Sequence, residues 1–409
     1  MLKQIYVYIY LNDGWVPCGL LKFSESGRFS SSTFRYGLQY LQRSDALSVD
    51  PIQLPLMDVT HESPDGHYVF NGIRDAAPDK WGRYLLEKKF GRSLSEIEFI
   101  AASAEDRVGA LAFSSRSDGQ VGVYDVNGDF KNTDHTQKKI SKLGLSDCLG
   151  AVDDALLSVD SKRLKAFLEY GPSLGGARPK ASVDWKEKQY LAKFSVSHDS
   201  KDEALIEYAS MSLAKKCGIN VPAIDLHYVD GRSIYLIERF DRQGTKRIPF
   251  ISGLTITGLH ESEYSNWSYY SLADAIIKFS SNHEKDLQEL FRRLIFNIAV
   301  YNNDDHLRNF GFICSDSRHW DLSPAYDIVP SLIHSDTYAL AMTCGPEGKI
   351  ASFKNALSMA PKFRLSDQKA KEIIEEIKDS VRPWRVHFAD LGVKASEIKM
   401  LEKSFAIKL

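Results

Sequence analysis

The feature that most constrains this chain is a junction. "DLQELFRRLIFNIAVY" runs straight into "NNDDHLRNFGF". Leu287, Leu290, Phe291, Leu294 and Ile298 recur at helical spacing, which predicts one buried stripe on a helix. The stripe ends where two asparagines, two aspartates, a histidine, an arginine and a third asparagine crowd together. Buried polar groups require partners. A core helix that delivers so many of them must therefore open into a pocket where something satisfies them.

Size and charge narrow the setting. The chain has 409 residues, 43% apolar and 26% charged, which fits two or three globular domains and excludes wholesale disorder. A formal net charge of −2 excludes a bulk polycation, so any DNA contact is expected indirectly, through a partner or a local patch. Five scattered cysteines without a C-x-x-C pair point to reduced thiols in a cytoplasmic protein rather than to zinc or disulfides. The opening "MLKQIYVYIYL" is strand-like and too short for a signal peptide, and no apolar run is long enough for a membrane span.

Along the chain, "KQIYVYIYL" and "WVPCGLLKF" predict a hairpin turning at Asn12-Asp13-Gly14. "GRFSSSTFRY" predicts a strand, and "DKWGRYLLEKKFG" a helix stopped by Gly91. Residues 125–139 are polar enough for a linker or long loop. Next come a helix, a glycine-rich loop, two strands, and the helix "DEALIEYASMSLAKKCG" ending at Gly218. On that helix Leu205, Ala209 and Leu213 share one face and Glu207 lies on another. "AIDLHYVDGRSIYLIERFDR" predicts a second hairpin, turning at Asp230-Gly231. Beyond about residue 268 the pattern is mostly helical, and the last fifty residues read as helices on an exposed surface. The expected architecture is α+β and bilobal. It comprises an N-terminal α/β subdomain (1–140), a lobe carrying the glycine-rich loop (141–245) and a helical C-terminal lobe (246–409).

The polar cluster has a specific grammar. Asp304 and Asn309 form D-x-x-x-x-N, and Asp327 in "LSPAYDIVPS" follows 23 residues after Asp304. Two strands and a turn between them would return Asp327 to the same pocket. A carboxylate beside an amide oxygen suits Mg²⁺. Phosphoryl transfer needs such ligands, a base to orient the acceptor, and a cation for the nucleotide phosphates. Lys193 in "YLAKFSV" supplies the cation, and Glu207 can fix it by an ion pair. Gly175 and Gly176 in "GPSLGGARPKAS" permit close backbone approach, while Ser173, Arg178 and Lys180 add groups suited to phosphates. Backbone groups from Glu238 to Phe240 in "LIERFDR" can hold adenine. His306 reads as a satisfied core histidine. Each element alone has a bland explanation as a turn, a solvated charge or a cap. Their order, from glycine loop to strand lysine, helix glutamate, linker, catalytic-type loop and late aspartate, is that of a bilobal kinase.

With these residues in place, the chain resembles the HipA family of bacterial serine/threonine kinases, the toxins of type II toxin–antitoxin pairs. "GRFSSSTFRYGLQYL", "RDAAPDKWGRYLLEKKFG" and "AEDRVGALAF" resemble that family's N-terminal subdomain. "SLGGARPKA", "YLAKF", "YLIERFDR", "NNDDHLRNFGF" and "LSPAYDIVPS" resemble its kinase core. The resemblance implies Asp304 as catalytic base, Asn309 and Asp327 as Mg²⁺ ligands, and Lys193 with Lys180 on the ATP phosphates. It also implies Gly175, Gly176, Ala177 and Arg178 in the phosphate loop, Glu238 and Phe240 at adenine, and Ser173 as an autophosphorylated serine whose modification expels the loop. Implied partners are a HipB-like antitoxin and a protein substrate such as an aminoacyl-tRNA synthetase. Two alternatives stand beside this reading: a catalytically silent corepressor of a DNA-binding antitoxin, and a small-molecule or lipid kinase.

Overall fold

The structure is a computed structural model describing residues 2–12, 14–26, 29–103, 106–118, 120–132, 143–170, 178–196, 199–316, 318–333 and 338–405. Strands β1 (Gln4–Leu11) and β2 (Gly14–Ser26) form the expected hairpin, with Leu11 opposite Gly14. With β3 (Phe29–Tyr36), β4 (Thr60–Glu62) and β5 (Leu111–Ser114) they make an antiparallel sheet ordered β4-β3-β2-β1-β5. Alternation explains its two faces: Ile5, Val7 and Ile9 point into the main core, while Tyr6 and Tyr8 belong to a small cluster behind it. Helices α1 (Leu38–Leu41), α2 (Asn71–Asp75), α3 (Lys80–Phe90) and α4 (Glu96–Ala102) accompany the sheet. Asp79 caps α3 by accepting from the Gly82 amide, and Gly91 ends it with φ +66°, a conformation glycine adopts without penalty.

The polar stretch after residue 125 is not all linker. Strands β6 (Gly122–Tyr124) and β7 (Phe130–Asn132) pair as a hairpin, because Asp125 accepts from the amides of Asn127 and Asp129 and closes the turn. Residues 133–142 lie outside the described residues. Helices α5 (Leu145–Leu156) and α6 (Lys162–Tyr170) follow.

The second sheet contains β8 (Lys180–Trp185), β9 (Lys188–Phe194), β10 (Ile224–Val229) and β11 (Arg232–Glu238), in antiparallel order β10-β11-β9-β8. Helix α7 (Glu203–Lys216) connects β9 to β10. Trp81 and Leu85 of α3 join α5, α6 and the β8–β9–β11 face in one apolar cluster, so the N-terminal unit packs directly on this sheet. A short hairpin, β12 (Arg242–Gln243) and β13 (Lys246–Arg247), precedes the helical lobe.

That lobe is built on α8 (Gly253–Thr257), α9 (Tyr269–Phe279) and α10 (His283–Val300). The predicted stripe of α10 is fully buried. Strands β14 (Phe250–Ser252), β15 (Gly311–Ile313) and β16 (Asp321–Leu322) form the return that brings the chain back towards α10. Helices α11 (Phe353–Leu357), α12 (Asp367–Val381), α13 (Trp384–Asp390) and α14 (Ala395–Phe405) close the lobe. They are less superficial than their charge suggests. Ile373, Ile377, Trp384 and Leu401 are buried in the main core, and the charged residues form only the outer faces.

No disulfide joins the five cysteines, all of them buried. Among the described residues no helix is long and apolar enough to cross a membrane. Because Leu294 is fully buried on α10, Leu294→Ala should destabilise the protein by about 2–5 kcal/mol in urea denaturation.

Candidate phosphotransfer site

Helix α10 stops at Tyr301, whose φ of +50° is unusual for a bulky residue and turns the chain sharply. The polar cluster then divides into two groups. Asn302 and Asp305 are buried and structural. The Tyr269 hydroxyl donates to Asp305 Oδ2 (2.7 Å), and the Ala341 amide donates to its Oδ1 (2.6 Å). Asn297 Nδ2 donates to the Tyr269 oxygen (3.0 Å), and Asn302 Nδ2 to Asn297 Oδ1 (3.2 Å). Burial pushes the Asp305 carboxyl up to about 7, against these hydrogen bonds. This network anchors the loop from beneath.

Asp304 and Asn309 face the other way. The Asp304 side chain is 77% exposed at the mouth of a cleft, with His306 Nε2 3.8 Å from its Oδ1. The cleft walls still thin its hydration, and with the nearby charge of Asp327 they raise its pKa, while His306 opposes the shift. Asn309 Nδ2 donates to the Asp304 carbonyl (2.7 Å), which leaves its amide oxygen as an acceptor. Contrary to its reading as a core histidine, His306 lines the cleft.

Lys193 is central. It sits on β9 opposite both Lys180 and Tyr235, and it is 8% exposed. Its Nζ donates to Glu207 Oε1 (2.5 Å) and to Asp327 Oδ1. Burial works against its charge, but Asp327 and Glu207 outweigh it and hold the ammonium protonated. Burial would likewise neutralise Asp327, yet Lys193 and Lys180 keep it well below the usual carboxylate range. Glu207 is pushed up to about 7, chiefly by burial, with Asp327 adding and Lys193 opposing. Helix α7 buries Ile206, Glu207 and Ser210 as well as Leu205, Ala209 and Leu213, so the face of Glu207 meets the sheet, not solvent. Asp327 has φ +56°, and its neighbour Tyr326 donates to the Arg308 carbonyl (2.9 Å).

Lys180 is the first residue of β8, not part of a loop, and is only 3% exposed. Burial and the charge of Lys193 depress its pKa, while Asp327 and Asp79 oppose. Asp79 Oδ2 lies 3.9 Å from Lys180 Nζ and is otherwise a buried atom with no hydrogen-bond partner. Burial pushes Asp79 up to about 6. The Arg178 guanidinium is engaged with Asp199 (3.0 Å) and Glu203 (2.9 Å). Ser173, Gly175, Gly176 and Ala177 lie outside the described residues.

At the hinge, the Glu238 amide donates to the Ala223 carbonyl and the Arg239 amide to the Gln189 carbonyl, so those two N–H groups are occupied. Glu238 also pairs with Lys188 (2.6 Å). Phe240 stacks on Tyr326, with ring centroids 5.8 Å apart. Glu238, Arg239 and Asp241 border the cleft, and Arg239, Asp241 and Arg242 are tied to the turn at 106–109. Arg239 donates to the carbonyls of Asp106 and Arg107. Arg242 donates to those of Arg107 and Gly109, and the Gly109 amide donates to Asp241.

Asp304, Asn309, Asp327, Lys193, Glu207, Lys180, Arg178, Glu238 and Phe240 all line one cleft of about 1440 Å³. So do Asp79, Val108, Arg74 and Arg83 from the N-terminal unit, which sequence spacing did not associate with the site. Among the described residues no cluster of three acidic, histidine or cysteine side chains forms a ready-made metal cage. Asn309 and Asp327 still offer the hard oxygen donors that fit Mg²⁺, which takes its remaining ligands from phosphate and water.

The chain is 27% identical over 213 residues to a putative kinase of Haemophilus influenzae, covering 45% of this chain and 62% of that protein. It is 26% identical to the putative kinase Y4dM of Sinorhizobium fredii, covering 44% and 46%. The chain thus spans between about half and three fifths of the curated relatives it matches. Its fold is similar to a Shewanella oneidensis chain from a complex of HipA, HipB and operator DNA, with a TM-score of 0.66 over 98% of this chain and 95% of that one, at 16% identity. The family model of the HipA-like C-terminal domain matches residues 172–384, and the chain belongs to the HipA family.

Proposed function

We propose that this protein is an ATP- and Mg²⁺-dependent protein serine/threonine kinase. The observation that carries the reading is the buried ammonium of Lys193, held between Glu207 and Asp327 in the same cleft into which Asp304 opens. Lys193 and Lys180 offer paired cations to the nucleotide phosphates. Phe240, Tyr326 and Val108 offer an apolar slot for adenine. Asp304 orients an acceptor hydroxyl and takes its proton as the oxygen bonds to the γ-phosphorus, while the bond to the β–γ bridging oxygen breaks and ADP leaves. Bound between Asn309, Asp327 and the phosphates, Mg²⁺ would neutralise charge on the transferred group. The raised pKa of Asp304 suits a group that must accept a proton.

The finer reading is a cytoplasmic toxin that inhibits translation by phosphorylating an aminoacyl-tRNA synthetase. A HipB-like antitoxin would neutralise it and carry any DNA contact. The Shewanella chain of similar fold occurs with HipB and operator DNA, which supports this choice of partner. We assign Ser173 as the self-limiting autophosphorylation site, where a dianion beside the ATP phosphates would repel them. The three-part division at about residues 140 and 245 belongs to the same reading.

Two neighbouring aspartates give a sharp test. Asp304→Asn should lower phosphate transfer from radiolabelled ATP by at least ~10² while leaving stability within about 0.5 kcal/mol, because its carboxylate is exposed. Asp305→Ala should instead cost about 2–4 kcal/mol in urea denaturation, because it strips partners from Tyr269 and Ala341. Full transfer by Asp304→Asn would refute the base assignment. Ser173→Ala should abolish the main phosphopeptide in mass spectrometry after incubation with ATP and prolong activity. Phosphate found mainly elsewhere would overturn that assignment.

A further inference from the structure

One segment of the N-terminal unit touches both sides of the cleft. On the helical-lobe side, Asp75 Oδ2 accepts from the Ser252 amide (2.6 Å) and the Thr255 hydroxyl (2.6 Å), tying it to the start of α8. Asn71 Nδ2 donates to the Leu259 carbonyl (3.0 Å). Arg74 Nη2 donates to Glu261 Oε2 (2.5 Å), and the other oxygen of Glu261 lies 2.9 Å from Arg308 Nε. On the sheet side, Trp81 Nε1 donates to the Lys180 carbonyl (3.2 Å), and the Tyr84 hydroxyl to the Ala155 carbonyl (2.7 Å). Within fourteen residues, from Asn71 to Tyr84, the chain grips both walls of the cleft.

Arg308 makes this more than scaffolding. It immediately precedes Asn309 and lies in the loop that begins at Asp304. Its carbonyl accepts from Tyr326, the neighbour of Asp327, and its guanidinium is ion-paired with Glu261, with Nε close to the carboxylate but not aligned for a hydrogen bond. Arg74, Glu261, Arg308, Tyr326 and the Asp327 backbone are thus one line of contact from the N-terminal unit to the site. The three charged side chains are 26%, 38% and 35% exposed, so removing one leaves no fully buried charge unpaired. Their pairing is worth more to orientation than to folding.

We propose that the segment Asn71–Tyr84 braces the two walls of the cleft, and that Arg74 and Glu261 are positioning residues for phosphoryl transfer, acting through Arg308 on the Asp304–Asn309 loop. The inference rests on the kinase reading above. A loop displaced by a fraction of an ångström keeps its nucleotide but holds the acceptor hydroxyl out of line.

The test uses the full chain, with Mg²⁺ and ATP, and follows the first-order rate of autophosphorylation at saturating nucleotide. Arg74→Gln and Glu261→Gln should each slow it about tenfold, short of the ~10² that a displacement of ~1 Å costs. The ATP concentration for half-maximal rate and the calorimetric affinity for ADP should stay within about twofold, because both side chains, though on the cleft wall, are engaged with each other and, through Glu261, with Arg308. The double variant should be no slower than the slower single one, and Arg74→Lys should recover most of the rate. Unchanged rates in both single variants would overturn the proposal. So would ADP affinity falling in parallel with rate, which marks general damage to the cleft. Asp304→Asn, measured alongside, separates the two levels: transfer at the normal rate there sinks the catalytic reading itself, whereas an inactive Asp304→Asn beside normal Arg74→Gln and Glu261→Gln sinks only the brace.

Discussion

The site is organised around one ammonium that is almost removed from water. Burying an isolated charge costs several kcal/mol, so Lys193 exists as a cation only because two carboxylates meet it. Those carboxylates come from distant parts of the chain, α7 and the segment after β16. The requirement to neutralise one charge therefore fixes the helix against the sheet and the late aspartate against both.

Beside this charge balance stands a division of labour within "NNDDHLRN". Adjacent aspartates point to opposite environments: Asp305 into a hydrogen-bonded lattice with Tyr269 and the Ala341 amide, Asp304 into the open cleft. The turn that separates them begins at Tyr301, in left-handed backbone. Asp327 has the same unusual backbone, so two such residues flank this part of the cleft. Conformations of this kind persist only where surrounding contacts over-determine them. The buried network beneath the loop supplies those contacts.

Much of this was legible in residue order. The stripe on α10, the two hairpins, the glycine stops at Gly91 and Gly218, and the β15–β16 return follow from periodicity and turn chemistry, which are local. The convergence of Lys193, Asn309 and Asp327 on one cleft followed from the order of motifs. What escaped was tertiary. Nothing near Arg74 or Asp79 announces that each faces a charge more than a hundred residues away. Glu207 looks like an amphipathic outlier because a helix buried on most sides has no polar face to read. The terminal helices look superficial because their charges dominate their composition, though Trp384 and Leu401 are core residues. "ERFDR" shows only backbone roles in sequence, and Arg239, Asp241 and Arg242 turn out to bind the 106–109 turn.

That last arrangement bears on what counts as a module. The region matched by the family model starts at residue 172, well after the turn at 106–109 that Arg239, Asp241 and Arg242 hold. Excising the matched region would strand those three ionised groups without their carbonyl and amide partners, and would uncover the apolar surface that Trp81 occupies. Homology and packing part company here: the stretch that can be recognised by ancestry leans on residues that precede it for both polar partners and apolar cover.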